Sequence, residues 1–596
     1  MKARCGAQHR ASFILACALT ALWSVFAGPA SADVSVVASH GDLIPGNTGL
    51  AYDLTGNITP VMGNSGDIAF SCGLRLSGFA SGNGLFVGSP GDLRLFVRSG
   101  LPAPDANGSF AGLGSPSMNA GGQVAFSATF SSTFGGNADD FAILRGEPAG
   151  GALTLIAREG QSAPGGGTLL FNTASLAPMI NTSGQVSFAT FTFGGPISGA
   201  AALFRGAGGA LTEIVRAGDV ASEPEELFAT FGGPWLADDG AVVFTAFATP
   251  LRQGVWIGDG TSRMRIVRAG EAAPDGNGTL NQIGSVAAND NGQVAFYSTV
   301  NGTSGGAVDN QGIFFYHSDE TKSVIVRRGD LAPDGNGRFL NLEPVAENIA
   351  INDAGTVVFT AALTGTSGGA LDAFGIFLSD GDELAQIVRS GDTAPDGNGR
   401  FAAFTRPALN ENGQVAFVAT LFGTAQPPTD DIGLFFHDPD AGLLQAARAG
   451  DEILGKRMRA PFVMNPSVTY LRRAYSGLND AAQIAFRFST SDGNVSLGIA
   501  DPFVTPAPRT PTGSPTPTAT RTVPPPATPR YCPGDCNNMG GTTLVELRNN
   551  VTYALDGRLI FGICQFGDTN RDSRITVDDI VLTVKTRNDL PQCRGV

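Results

Sequence analysis

An all-β fold, an eight-bladed β-propeller, is predicted by three observations. A phrase that ends a strand in arginine and glycine, as in Ile387-Val388-Arg389-Ser390-Gly391-Asp392, returns eight times, with its glycine at Gly41, Gly100, Gly160, Gly218, Gly270, Gly329, Gly391 and Gly450. A turn-then-strand phrase, as in Asn410-Glu411-Asn412-Gly413-Gln414-Val415-Ala416-Phe417, also returns eight times, with its phenylalanine at Phe70, Phe126, Phe188, Phe244, Phe296, Phe359, Phe417 and Phe486. The glycine steps run from 52 to 62 residues, a near-fixed period of the size that marks propellers, solenoids and arrays. The third observation lies at the ends. The last unit stops at Val495-Ser496-Leu497-Gly498-Ile499 with no arginine strand after it, while Val34-Ser35-Val36-Val37-Ala38 is an orphan strand of the arginine type, with Ser39 in the arginine position. The N-terminal strand can therefore complete the eighth blade and close the ring, which removes the exposed edges of an open array.

Taken in order, the chain begins with Lys2, Arg4 and Arg10, then an apolar stretch from Phe13, then Ala30-Ser31-Ala32. This is the order of a secretory signal, so residues 1–32 are expected to be cleaved after Ala32 and the protein to be secreted or on the cell surface. The run before Cys17 is too short for a lipoprotein signal. No later stretch is long and apolar enough to form a transmembrane helix.

Residues 33–503 hold the repeats. Each unit reads as four short strands: one ending in the arginine, one through the phenylalanine after an Asp-Gly-Asn-Gly stretch (Phe401 to Leu409), the Gly-Gln-Val-Ala-Phe strand, and a short Gly-Ile-Phe strand such as Gly375-Ile376-Phe377. Asn412-Gly413 and Asp380-Gly381-Asp382 supply tight turns. Val415, Phe417, Ala419 and Leu421 make one apolar face, and Ala416 and Val418 keep the other small or apolar. A strand of this kind is packed on both sides. Four strands per unit fit a blade better than a solenoid coil.

Residues 504–530 turn abruptly to proline, threonine and alanine, the composition of an extended spacer that builds no core. Residues 531–596 then form a small cysteine-bearing domain. Export permits disulfides, and Cys532, Cys536, Cys564 and Cys593 allow three pairings that sequence leaves open. Cys72, alone in a strand, reads as a buried apolar residue.

The formal charge of −15, 42% hydrophobic and 15% charged residues fit a large buried core with no basic patch. Nucleic acid is excluded as a partner on that ground. In the repeats, Arg98, Arg158, Arg216, Arg268, Arg327, Arg389 and Arg448 recur with an acid nearby (Asp219, Glu271, Asp330, Asp392, Asp451). A residue present in nearly every blade holds the blade together, whereas a catalytic site is single. The Asp-Gly-Asn-Gly stretches read as turns rather than calcium loops. Gly302-Thr303-Ser304-Gly305-Gly306 and Gly365-Thr366-Ser367-Gly368-Gly369 match a nucleophile elbow only formally, because that motif needs a strand-turn-helix context and a histidine. Asp139, Asp309, Asp372 and Asp430 sit in long loops of the kind that form binding faces; they either hold cations or sugar hydroxyls or, more simply, cap the turn into the next strand.

The most specific motif is C-terminal. Asp568, Asn570, Asp572, Thr576 and Asp579 occupy loop positions 1, 3, 5, 9 and 12, with the Arg574 carbonyl at position 7. A hard cation such as calcium needs six to eight oxygens in this arrangement. Ser573 replaces the usual glycine at position 6, and Ile580, Val581 and Val584 suit an exiting helix. An earlier loop repeats the pattern with Asp535, Asn537, the Gly541 carbonyl, Thr543 and Glu546, but with Met539 at position 5; Leu544, Leu547, Val551 and Leu555 line one face of the helix that follows.

Paired loop-helix units of this kind resemble type I dockerins, calcium-dependent modules that end many secreted bacterial polysaccharide-degrading proteins. The resemblance covers residues 531–596 alone. It implies a small α-helical calcium-binding domain and a cohesin-like or cell-surface protein partner. Leu544-Val545 and Val577-Asp578 stand where dockerins often use small hydroxyl residues to bind cohesin. The repeat region resembles the secreted bacterial family named for tandem Asn-x-x-Gly-x-x-Ala-Phe repeats with interchangeable C-terminal anchors. The copies at Asn119, Asn181, Asn289, Asn352, Asn410 and Asn479 carry that resemblance, which implies that the C-terminal module fills the anchor position. The expected function is a monomeric, non-enzymatic binding or display protein, with a glycan as one candidate ligand and no catalytic residue assigned. The alternative is an extracellular polysaccharide-degrading enzyme, a glycoside hydrolase or lyase, carrying a dockerin.

Overall fold

The computed structural model describes residues 33–503, apart from 48, 57, 149, 172–177, 222–224, 250–251, 344–347, 382 and 465–476. The chain divides into two units, residues 1–508 and 509–596. The second unit lies outside the described residues, and with it the linker, the four C-terminal cysteines and both calcium loops.

The first unit is an all-β, eight-bladed propeller: eight antiparallel sheets of four or five strands succeed one another along the chain. Blade 2 shows the plan. Ser109–Leu113 and Ser117–Met118 pair with Val124–Ser131, which pairs with Phe141–Gly146, which pairs with Thr154–Arg158. The arginine strand is thus the outer edge of each sheet. In blade 8 that place is taken by Asp33–Ser39, which runs antiparallel to Val495–Asp501 from Asp33↔Asp501 to Ser39↔Ser496. The Ser39 and Ser496 hydroxyls meet at 2.9 Å.

The innermost strand is shorter than the sequence suggests. Where one strand from Phe401 to Leu409 is expected, there are two, Arg400–Phe404 and Ala408–Leu409. Pro407 explains the break, because it has no N–H to give the ladder. Pro60, Pro116, Pro178 and Pro234 stand at the same place in blades 1 to 4, directly before Val61–Met62, Ser117–Met118, Met179–Ile180 and Trp235–Leu236. Blade 5 has no proline there, and its inner strand runs unbroken from Thr279 to Ala288 with two bulges.

Six of the eight blade cores are built on a ring pair across the two central strands, while in blades 2 and 8 Phe126 and Phe486 face Leu144 and Gly498. Phe70↔Phe86, Phe188↔Phe204, Phe244↔Trp256, Phe296↔Phe314, Phe359↔Phe377 and Phe417↔Phe435 are direct cross-strand partners. Their centroids lie 5.4 to 6.3 Å apart. All twelve rings are buried, each worth roughly 1.5–3 kcal/mol of transfer free energy. The motif's glycine follows from the same packing. A Cβ on Gly312 would sit 2.4 Å from the Phe314 ring, and one on Gly254 would sit 2.5 Å from Trp256. Cys72 is buried, with its thiol pushed up to about 12 by burial, so it packs as an apolar group. Among the described residues no helix is long and apolar enough to cross a membrane.

Candidate functional site

The recurrent polar residues of one face are committed to holding the blades. Arg448 donates to the Asp430 carbonyl (2.8 Å), the Asp396 carboxylate (2.5 Å) and the Asn398 carbonyl (2.5 Å). Arg158 does the same with Asp139, Asp105 and Asn107, and Arg389 with Asp372, Asp334 and Asn336. Each of these three arginines therefore ties the outer strand of its blade to the crossing loop that enters that blade. The acid three residues on serves the backbone instead: Asp330, Asp392 and Asp451 accept from the backbone N–H of Arg327, Arg389 and Arg448.

The Asp-Gly-Asn-Gly stretches are turns. Asp105, Asp275, Asp334 and Asp396 each accept from the N–H two residues on. The following asparagines donate to Asp139, Asp309, Asp372 and Asp430. Those four acids in turn accept from the N–H of Gly135, Gly305, Gly368 and Gln426. They cap the loops. Thr133 and Asn107 hold the Asp139 carboxyl below the ordinary range. The Gly-Thr-Ser-Gly-Gly segments lead into short 3₁₀ turns, not helices. Among the described residues no group of three or more His, Cys, Asp or Glu is placed to hold a metal.

One acid departs from the repeat. Glu159 is buried at a position that is Ser99, Ala217, Ala269, Arg328, Ser390 or Ala449 in other blades. It accepts from the Phe171 N–H at 3.2 Å. Burial and then the neighbouring Asp140 carboxyl push it up to about 7. A carboxyl raised in the folded state stabilises below its unfolded value of 4.5, and this contribution is lost as pH rises through about 7. The wild type is therefore expected to lose about 2 kcal/mol between pH 5 and 8 that Glu159→Gln does not lose. Urea unfolding at each pH measures it, and parallel curves would contradict the assignment. Asp451, pushed up to about 6 by burial, tilts both proteins alike.

At the other face all eight blades converge on a central cavity of about 210 Å³. Its lining is mixed, with apolar side chains such as Met62, Met118, Met179, Leu236, Ile351 and Leu478 beside asparagines and carboxylates. Around its mouth run two rings of hydrogen bonds that the sequence reading missed. The leading asparagine of the repeat donates its amide to the backbone carbonyl at the equivalent position of the next blade. The links run Asn119 to Asn181, Asn181 to Ala237, Asn289 to Asn352, Asn352 to Asn410, Asn410 to Asn479 and Asn479 to Gly63, at 2.8 to 3.2 Å. Each asparagine also accepts from the N–H four residues on in its own turn, as in Gln123 to Asn119.

The residues that follow make the second ring. Asp238, Asp290, Asp353, Glu411 and Asp480 accept from the N–H of Thr182, Asp238, Asp290, Asp353 and Glu411, each across one blade boundary. Asp480 also receives the Asn64 amide at 2.6 Å. Blades 1 to 3 carry Asn64, Ala120 and Thr182 in this ring, so the five carboxylates form a one-sided crescent over blades 4 to 8. No Lys, Arg or His is among the described residues lining the cavity. The available signal was the acid after the asparagine in several copies of the repeat. Neighbouring copies meet only around the axis, which a linear reading does not display.

No curated protein matches the sequence. Among solved structures, the β-propeller domain of the Trilobed protease from Pyrococcus furiosus aligns at 11% identity and a TM-score of 0.35, over 66% of this chain and 96% of that one. A puromycin-hydrolyzing peptidase of Mycobacterium tuberculosis aligns at 10% identity and a TM-score of 0.37; the chain spans 62% of its length, using 76% of its own. An α-L-arabinofuranosidase from Fusarium graminearum aligns at 10% identity and a TM-score of 0.25, over 57% of this chain and 95% of that one. Likeness this distant carries no argument about activity. The sequence itself matches the family of unknown function DUF7453 over residues 16–150 and 128–512, and the protein belongs to that family.

Proposed function

We propose that this is a secreted, non-enzymatic binding protein that takes its ligand at the mouth of the central channel. The observation that carries this reading is the cavity of about 210 Å³ on which all eight blades converge, lined by apolar side chains such as Met62, Met118 and Leu236 together with asparagines and carboxylates. Its mouth carries the carboxylate crescent, with no cationic side chain among the described lining residues. Such a site suits a small ligand with an apolar body and a cationic group. No aromatic side chain lines the channel among the described residues, so it lacks the flat stacking surface that a sugar ring would use, and a glycan fits it less well. The ring itself reads as closed by its N-terminal strand, on the pairing of Asp33–Ser39 with Val495–Asp501.

The test is calorimetric titration of the full chain with primary alkylamines of increasing length, beside carboxylates of the same length and neutral oligosaccharides. Amines are expected to bind, more tightly as the chain lengthens, and Asp353→Asn to weaken them about tenfold, or roughly 1.4 kcal/mol. Equal affinity for amines and carboxylates would overturn the ligand class. Turnover of a polysaccharide would replace this reading with the enzymatic one, in which a carboxylate pair flanks the scissile bond.

The C-terminal unit enters the proposal as the anchor: a dockerin-like module that binds calcium through Asp568, Asn570, Asp572, Arg574, Thr576 and Asp579, with the Asp535 to Glu546 loop as the second site. It would tether the propeller to a cohesin-like or cell-surface partner. Chelation by EDTA is expected to lower the melting temperature of this unit and leave the propeller transition in place; a C-terminal transition indifferent to EDTA and calcium would remove the metal from the proposal.

A further inference from the structure

The asparagine ring has two gaps, and the fold treats them differently. Six blades carry the asparagine, while blade 1 has Gly63 and blade 4 has Ala237 in its place. At the boundary of blades 1 and 2 the space is already taken. A Cβ on Gly63 would lie 2.8 Å from the Met118 sulfur and 3.5 Å from the Asn119 carbonyl. The thioether therefore occupies the path an asparagine amide would follow.

At the boundary of blades 4 and 5 the space is open. A small void of about 10 Å³ lies there, lined by Met179, Trp235, Leu236, Ala237, Val243, Ala288, Asn289 and Asp290. It adjoins the central channel, with which it shares Met179, Leu236, Ala288 and Asp290. Trp235 is only 7% exposed, and its indole N–H has no hydrogen-bond acceptor in the protein. An orphaned buried donor costs about 1–3 kcal/mol, and a void of this size holds one water when it offers two or more polar partners. Asn289 supplies a carbonyl of the kind that receives an asparagine amide at the six intact boundaries.

We infer that the void between blades 4 and 5 is a binding site for a single water, which replaces the missing asparagine amide. The water accepts from the Trp235 N–H and donates to the Asn289 carbonyl, so it bridges the two blades where no side chain does. Its remaining hydrogen lies on the Asp290 side of the void, next to the carboxylate crescent. The repeat is thus completed by side chains at six boundaries, by a packed thioether at one and by solvent at one.

The test uses the full chain with ¹⁵N-labelled indoles. Trp235→Phe assigns the Trp235 N–H resonance, and a water-to-indole cross-peak of the kind given by a bound water is expected at that resonance in the wild type. Ala237→Asn places an amide in the void; it is expected to abolish the cross-peak and to raise the melting temperature by a few degrees. Absence of the cross-peak in the wild type, or its persistence unchanged in Ala237→Asn, would overturn the inference. Should Ala237→Asn fail to fold, a crystal structure of the wild type decides the matter: density for a water within hydrogen-bond distance of both Trp235 Nε1 and the Asn289 carbonyl upholds the site, and an empty void refutes it.

Discussion

Deleting residues 33–39 is expected to destabilise the propeller more than any single substitution, by on the order of 5 kcal/mol, and to make it self-associate. The strand forms a six-pair antiparallel register with Val495–Asp501, and each backbone hydrogen bond contributes about 0.5–1.5 kcal/mol net. Ala38 is buried in a cluster that joins it to Leu497 and Ile499 of blade 8 and to Phe70 and Phe86 of blade 1. Without the strand, Val495–Asp501 becomes an open edge, and open edges recruit strands from other copies. The measurements are thermal melting and size-exclusion chromatography of the shortened chain, with a peptide of residues 33–39 added back. A shortened chain that stays monomeric and melts within a degree or two of the wild type would refute closure by this strand.

The second large effect is expected at the arginine clamp. Arg448 is 2% exposed. It bonds one carboxylate and two carbonyls. Truncation to alanine leaves Asp396 without its cation and two carbonyls short of a donor. Removing one member of a buried pair costs about 3–5 kcal/mol; Asp396 is partly solvated, which places the expected loss at about 3 kcal/mol. Arg448→Lys is expected to recover less than half, because an ammonium cannot span three acceptors in the guanidinium plane. Asp451→Asn is expected to cost less than Arg448→Ala, since Asp451 takes the Arg448 backbone N–H and not its side chain. Denaturant midpoints for the three variants rank them. If Asp451→Asn is the worse of the two, the clamp is wrongly assigned.

That contrast shows how far sequence reading reached. The recurrence of Arg448 and its counterparts marked them as structural. For Arg158, Arg327, Arg389 and Arg448 the ion-pair partner, however, is an acid about fifty residues earlier, Asp396 for Arg448, and not the acid three residues later. The crossing loop from the preceding blade brings that acid to the strand end, and such a contact has no local signature. The split of the inner strands is legible in the recurrence of Pro60, Pro116, Pro178, Pro234 and Pro407 at one position, although the apolar pattern around them reads as a single strand.

The sequence by itself determined the number of blades, the order of their main strands and the apolar faces of the central ones. All of these arise within one repeat, from alternation, turn chemistry and the ring pairs. Only the tertiary structure decided what the repeats do to one another. It turned the asparagine and the acid after it into links between blades and gathered the acids of blades 4 to 8 into one crescent. It also left a gap beside Trp235. The physical reason is distance along the chain: positions some sixty residues apart become neighbours only when the sheets are set around a common axis, and the differences between copies acquire meaning there.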